Sequence, residues 1–449
     1  MLNKEAAYEI IDKVLSKCNY YTMVSIMCKE EGLTRFANSE IHQNVYNAED
    51  SVTITVIHDK KIASVTTNLL SEEGLTEAVR DAEENLKFLP EGEIELPELT
   101  YPLEIASGDN GLSLSEAAKL LEKFNILNRA KLIKEGIDLL GEDYTAAGAL
   151  SLTTFGICMG NNKNVRRYAR IDTVSFNAVV MHKDGASGYV EYSTNKAEEL
   201  DVVESFKDAY SKCKNGVNPT SIEPGSYDVI LEPLAVGDLL MYMSFIGFSA
   251  KDVRTGTSFL TGKLGKKVFG ENITIRDDVK NENTMPLYFD FEGYARTSLN
   301  LIENGVAKEL SYDVKTAIAD DVKPTGHSFG YAGEGGIPIN LVMEGGNDTS
   351  EELIKSTKKG LLVSRFHYMN IVDPRQAILT ALTRDGLFLI ENGEIKGAVK
   401  NMRFTESMLH AFNKVTGISA ERTKVPGAFG FNYVPALKIE DFHFTGKTE

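Results

Sequence analysis

Three features of the sequence predict an α+β fold, with a mixed N-terminal domain and a β-rich C-terminal one. Strand-like alternation precedes an amphipathic helix early in the chain, and the same order returns later. Beyond residue 220 the chain is mostly β, punctuated by two Asn-Gly turns.

The opening MLNKEAAYEIIDKVL reads as an amphipathic helix, because Lys4, Glu5 and Glu9 interrupt the apolar run that a signal peptide needs. Segments 21–28 and 51–58 alternate β-branched and polar residues, and a third strand at 61–67 follows Asp59, giving an antiparallel meander. Ser71 caps a helix whose Leu75, Ala78, Val79, Ala82 and Leu86 share one face. A second unit repeats this order: Gly32, Asn38, Val56 and His58 are answered by Gly156, Asn162, Val180 and His182. The units span 21–89 and 145–213, with the second meander at 150–192 and its helix at 196–213. Between them lie an acidic, proline-punctuated linker at 90–102 and a long helical pattern at 115–136.

NGVNPTSIEPGSYDV, with Gly216, Pro219, Pro224 and Gly225, marks a division into domains 1–220 and 221–449. In the second domain helices are expected at 233–248 and 350–360. LIENGVA at 301–307 and LIENGEI at 389–395 each read as a hairpin, because Asn and Gly tolerate the positive φ of a type I′ turn.

With 65 acidic against 48 basic side chains, the net charge of −17 repels phosphate backbones and argues against nucleic-acid binding. Four cysteines without C-x-x-C spacing fit reduced thiols in a cytoplasm, with no disulfides expected. The longest uncharged apolar run, 239–250, is shorter than the ~20 residues that span a bilayer, so no membrane segment is expected.

Familiar catalytic patterns fail one by one. There is no H-E-x-x-H, and the seven histidines are scattered; His410 and His443 are the nearest pair in the C-terminal region, so a zinc site would need distant residues. TGTSFLTGKL departs from phosphate-loop spacing, with Leu264 where a magnesium-binding hydroxyl belongs. GYAGEGGIP carries Gly333, Gly335 and Gly336 without a dinucleotide fingerprint, and Pro338 blocks an early helical turn. Gly326-His327-Ser328-Phe329-Gly330 satisfies G-x-S-x-G, yet it lacks the flanking strand and helix that expose a nucleophile. A flexible loop beside a peptide groove, with His327, Ser328, Gly330, Gly333, Gly335 and Gly336, is the expectation here, with a plain surface loop as the alternative.

Several stretches together resemble the TldD/PmbA family over nearly the whole chain. They are Asn38-Ser39 before a meander, FDFEGYARTSLNLIENGVAKELSYDVKTA at 289–317, the second ENG hairpin, KNMRFTES at 400–407, and PALKIEDFHFTG at 435–446. TldD-type members carry a helical H-E-x-x-x-H motif completed by a late cysteine. Such donors hold zinc at ~2.0–2.3 Å with one position open for an activated water. Here the corresponding helix reads Pro233-Leu234-Ala235-Val236-Gly237-Asp238. Pro233 has no donor, Leu234 cannot act as a base, only Asp238 could touch a metal, and no cysteine follows Cys213.

The chain is therefore similar to the PmbA (TldE) side of the family, once described as modulators of DNA gyrase. The resemblance implies a cytoplasmic protein without a catalytic residue or metal of its own, dimerising with itself or with a TldD-type metallopeptidase subunit. Zinc would sit only in that partner, and the pair would handle unfolded peptides in proteolysis and peptide maturation. Two other readings remain: a peptidase or hydrolase with a relocated site, using Ser328 or a constellation of His327, His367 and aspartates, and a homodimeric peptide-binding protein without catalysis.

Overall fold

The computed structural model describes residues 2–92, 110–111, 114–330 and 335–447, so the linker foreseen at 90–102 lies outside them from residue 93 onward. Helix α1 (Lys4–Leu15) is capped by the Asn3 side chain, which accepts from the Ala6 N–H at 2.8 Å. Strands β1 (Tyr21–Ala37), β2 (Glu40–His58) and β3 (Lys61–Thr67) form an antiparallel meander, followed by α2 (Glu72–Asn85) with Ser71 as its cap. Both β1 and β2 run well beyond the segments foreseen at 21–28 and 51–58, meeting at a turn where Asn38 and Ser39 take positive φ. Most of β2 before Val52 has no buried face, and a ribbon wet on both sides carries no apolar alternation to read.

The helix expected over 115–136 is two, α3 (Leu114–Lys123) and α4 (Ile126–Ile137), after the short strand β4 (Asn110–Gly111). Asn125 makes the break: its side-chain oxygen accepts from the N–H groups of Leu127 (3.1 Å) and Asn128 (3.0 Å), which opens a new helix. A second meander, β5 (Tyr144–Asn161), β6 (Arg166–His182) and β7 (Ser187–Thr194), leads to α5 (Val202–Asn215). That helix starts later than the foreseen residue 196, because Asp201 supplies its N-cap after a 3₁₀ turn at Ala197–Glu199. The two meanders join edge to edge through antiparallel β1 and β5, with Cys28 opposite Gly156, into one seven-stranded sheet.

The second sheet takes β8 (Gly225–Leu231), β9 (Ile275–Asp277), β10 (Leu299–Glu303), β11 (Val306–Ala307), β12 (Leu341–Met343), β13 (Lys359–Asp373), β14 (Ile378–Glu391), β15 (Glu394–Ala398), β16 (Met402–Ser407), β17 (Val415–Pro426) and β18 (Phe431–Lys447). Strand β8 pairs with both β13 and β18, so β18, β16, β14, β13 and β8 close a ring with few free edges. Both Asn-Gly turns occur as expected, with positive φ at Asn304 and Gly305 and at Asn392 and Gly393.

Helices α6 (Pro233–Ile246), α7 (Ala250–Thr255), α8 (Val314–Ala319), α9 (Ser350–Lys355) and α10 (Met408–Ala411) accompany this sheet. The helix foreseen at 350–360 ends early, because the chain enters β13 at Lys359. Helix α6 lies in the main core, burying Ala235, Val236, Leu239, Leu240, Met243 and Ile246. A Cβ on Gly237 would come within 2.3 Å of Val425 Cγ2, so this helix and β17 approach as closely as glycine permits. A separate apolar cluster joins the domains: Met23, Ile157, Met159 and Ile171 of the first sheet pack with Leu287, Phe289 and Tyr294. The four cysteines stand as free thiols, three of them buried, and burial pushes Cys28 and Cys158 up to about 12.

Candidate functional site

Helix α6 begins directly after β8, with Pro233 at its first turn, where the missing N–H costs nothing. Leu234 packs against the main core, and Asp238 is the one oxygen donor of the three motif positions. Burial first, then the neighbouring Glu191 charge, pushes the Asp238 carboxyl up to about 7, against the Phe366 N–H and Arg365, which favour its ionised form.

The surrounding residues are ion-paired among themselves. The Arg365 guanidinium donates to Asp385 and lies 3.8 Å over the Tyr189 ring, while Tyr189 Oη donates to Glu191 at 2.9 Å. Ser187 Oγ donates to the other Asp385 oxygen, so β7 of the first domain is tied to β14 of the second. A cleft of ≈ 380 Å³ opens beside this seam, lined by Asp184, Ser187, Asp385, Lys400 and Asn401. A partly protonated carboxyl next to a fixed guanidinium is a poor seat for a cation, and these residues do not fit zinc.

The first three residues of the G-x-S-x-G segment, Gly326 to Ser328, are buried, which corrects the expectation that His327 and Ser328 line a groove: both have 0% exposure. Ser328 N–H donates to Asp290 Oδ2 (2.9 Å), and its hydroxyl lies 3.0 Å from the Gly330 N–H. His327 Nδ1 pairs with Thr325 Oγ1 at 2.9 Å, and its Nε2 stands 3.4 Å from Asp277 Oδ1. Gly335 and Gly336 are buried too; a Cβ at Gly336 would meet the Ser311 backbone at 2.7 Å. Gly330 is partly exposed beside the exposed Phe329, and Gly333 lies outside the described residues. Phe329 meets Phe291 and Phe429 in a ring cluster on this rim.

Beneath it sits a polar hub that sequence reasoning missed. Asp277 accepts from the N–H groups of Ile339 (2.7 Å) and Asn340 (3.1 Å). Asp290 accepts from Glu292 (3.0 Å) and Tyr294 (2.9 Å), and Glu292 from Val314 (2.9 Å). Burial opposes the Asp277 charge, but His327, Arg296 and the Asn340 N–H outweigh it and hold that carboxyl low. Burial and then the Asp290 charge push Glu292 well above the carboxylate range, so Glu292 takes the proton of that pair. The Arg296 guanidinium, buried and without a hydrogen bond among the described residues, balances Asp277 and Asp290 through charge. The signal was present as D-x-E-x-x-x-R at Asp290, Glu292 and Arg296, but no single-residue pattern says that all three are buried together.

The relocated constellation does not assemble, because His327 is sealed in the hub while His367 sits on β13 near Arg384 and Arg365. Elsewhere the fold brings Glu406, His410 and His443 together.

The likeness of this fold to solved structures extends over almost the entire chain. TldE from Thermococcus kodakarensis superposes on 98% of this chain and 100% of its own, at a TM-score of 0.85 and 21% identity. A Thermotoga maritima protein named for modulation of a DNA gyrase also covers 98% and 100%, at a TM-score of 0.81 and 22% identity. At those identities the likeness speaks for the fold. Sequence models of the PmbA/TldA metallopeptidase family match in order, domain 1 at residues 29–86 and the C-terminal domain at 224–446. The chain belongs to the TldD/PmbA family. Among its relatives are an uncharacterised Methanocaldococcus jannaschii protein, 37% identical over 36% of this chain and 38% of that one, and a metalloprotease of Methanothermobacter thermautotrophicus, 27% identical over 44% and 43%. The chain thus spans about two fifths of the length of these curated relatives.

Proposed function

We propose that this metallopeptidase-like chain is the non-catalytic, TldE-like subunit of a two-component peptidase in the cytoplasm, helping a zinc-bearing TldD-type subunit to handle unfolded peptides. The observation that carries this reading is α6. It keeps its place in the core while Pro233 and Leu234 offer no ligand and Asp238 faces Arg365 and Glu191. Without imidazole, thiolate and a free glutamate, this helix has nothing to hold or deprotonate a hydrolytic water. A relocated serine site has no support in the geometry, because Ser328 Oγ is enclosed and bonded to backbone.

Peptide contact in this reading falls on the exposed rim at Phe329 and Gly330, where rings in tilted and edge-to-face contact offer sequence-tolerant apolar surface. Complex formation tests the subunit role. Mixed with a TldD-type chain bearing H-E-x-x-x-H, the protein is expected to co-elute in size-exclusion chromatography as a stoichiometric hetero-oligomer. Elution of both chains unchanged across micromolar concentrations would count against it.

A further inference from the structure

We infer that Glu406, His410 and His443 form a binding site for a divalent transition-metal ion of the zinc class, away from α6. Three elements build it: the end of β16 supplies Glu406, α10 supplies His410 one helical turn later, and β18 supplies His443. One ligand atom from each residue falls within 4.8 Å of the others, and His410 Nδ1 and His443 Nδ1 stand 3.2 and 2.6 Å from the two Glu406 oxygens. A tetrahedral ion with bonds of ~2.1 Å places its ligands about 3.4 Å apart. Small rotations of the two imidazoles, 34% and 47% exposed, reach that spacing.

The carboxylate is fixed in advance. Glu406 is only 4% exposed, and its oxygens accept from the N–H groups of Ser407 (2.7 Å) and His443 (3.1 Å), the outer-shell bonds that orient a metal ligand. The pairing of β18 with β8 is irregular between Ile439 and Phe442, and there Asp441 takes a positive φ and brings Oδ2 to 3.7 Å from His410 Nε2. A bulge of this kind re-aims side chains at a site. Two imidazoles and a carboxylate suit zinc, nickel or cobalt better than magnesium or calcium, which prefer all-oxygen shells. Water would complete the shell, and Asp441, beside the other ring nitrogen of His410, would orient that imidazole from outside it. Bound metal would pin β16 and α10 to β18.

This inference is independent of the proposed function, and the two are separable by experiment. Metal-stripped full-length protein titrated calorimetrically with Zn²⁺ is expected to take up one ion per chain at micromolar free metal, with Tm rising on Zn²⁺ and not on Mg²⁺. His410→Ala and His443→Ala alter partly exposed side chains, so the fold should survive, and each should weaken binding at least about tenfold. Asp238→Asn should bind as the parent does. Absence of stoichiometric uptake, or uptake unchanged in both histidine variants, would overturn the site. Uptake lost only in Asp238→Asn would place the ion at α6 and overturn the proposed function as well.

Discussion

At the scale of single residues, Asp238 is a carboxyl whose charge is opposed by burial. Its carboxyl is raised from 3.8 to about 7, so between those values the folded chain holds a proton that the unfolded chain has released. Stability contributed at this position therefore falls as pH rises through that window. Asp238→Asn is expected to raise stability by about 1–2 kcal/mol at pH 8, a figure discounted for partial exposure, and to change little at pH 4. Urea unfolding at both pH values reads the difference. Arg296 predicts the opposite sign, because it is fully buried against Asp277 and Asp290. Arg296→Met leaves two carboxylates buried without their cation and should cost about 3–5 kcal/mol, seen as a lower denaturant midpoint at unchanged slope. Ser328→Ala, by contrast, should leave any partner-dependent activity intact, since its buried hydroxyl bonds the turn at Gly330 and the Glu292 carboxyl.

At the scale of elements, the sequence was most readable where one face is buried or a turn demands special chemistry. The Asn304-Gly305 and Asn392-Gly393 hairpins, α2 behind Ser71 and α6 behind Pro233 all follow local rules that the fold obeys. The outer part of the β1–β2 ribbon was not legible, because β2 there has no buried face and the buried positions of β1 are Gly32, Thr34 and Phe36, and the break at Asn125 was hidden inside a continuous helical period. Burial of His327 was illegible for a different reason. Its surroundings come from Asp277 and Arg296, far along the chain, and glycine-rich neighbours read as surface loop. The packing of β7 on α5 gives the element-scale prediction. A Cβ on Gly188 would meet Ala209 O at 2.1 Å and Cys213 N at 2.4 Å, both backbone atoms that cannot swing aside. Gly188→Ala should lower Tm, with a cost of about 1–3 kcal/mol from the forced shift.

At the scale of the whole molecule, the two sheets are held as one body by the apolar cluster around Met159 and Leu287 and by ties across the seam. Lys424, 3% exposed, donates to Glu199 at 2.7 Å, and Ser187 donates to Asp385. Burial pulls the Lys424 ammonium down, whereas at Glu199 burial is outweighed by bonds from Lys424 and Thr194 that hold its carboxyl low. The pair is therefore worth more as a fixed register than as net stability. No helix among the described residues is long and apolar enough to cross a membrane. The proposed function leaves this chain without a reacting group of its own, and peptide hydrolysis tests that most directly. Unfolded casein is incubated with this chain alone, with a TldD-type subunit alone, and with both, in the presence of zinc. Cleavage only in the mixture, abolished when the glutamate of the partner's motif is changed to glutamine, is the predicted result; chelator-sensitive cleavage by this chain alone would contradict it.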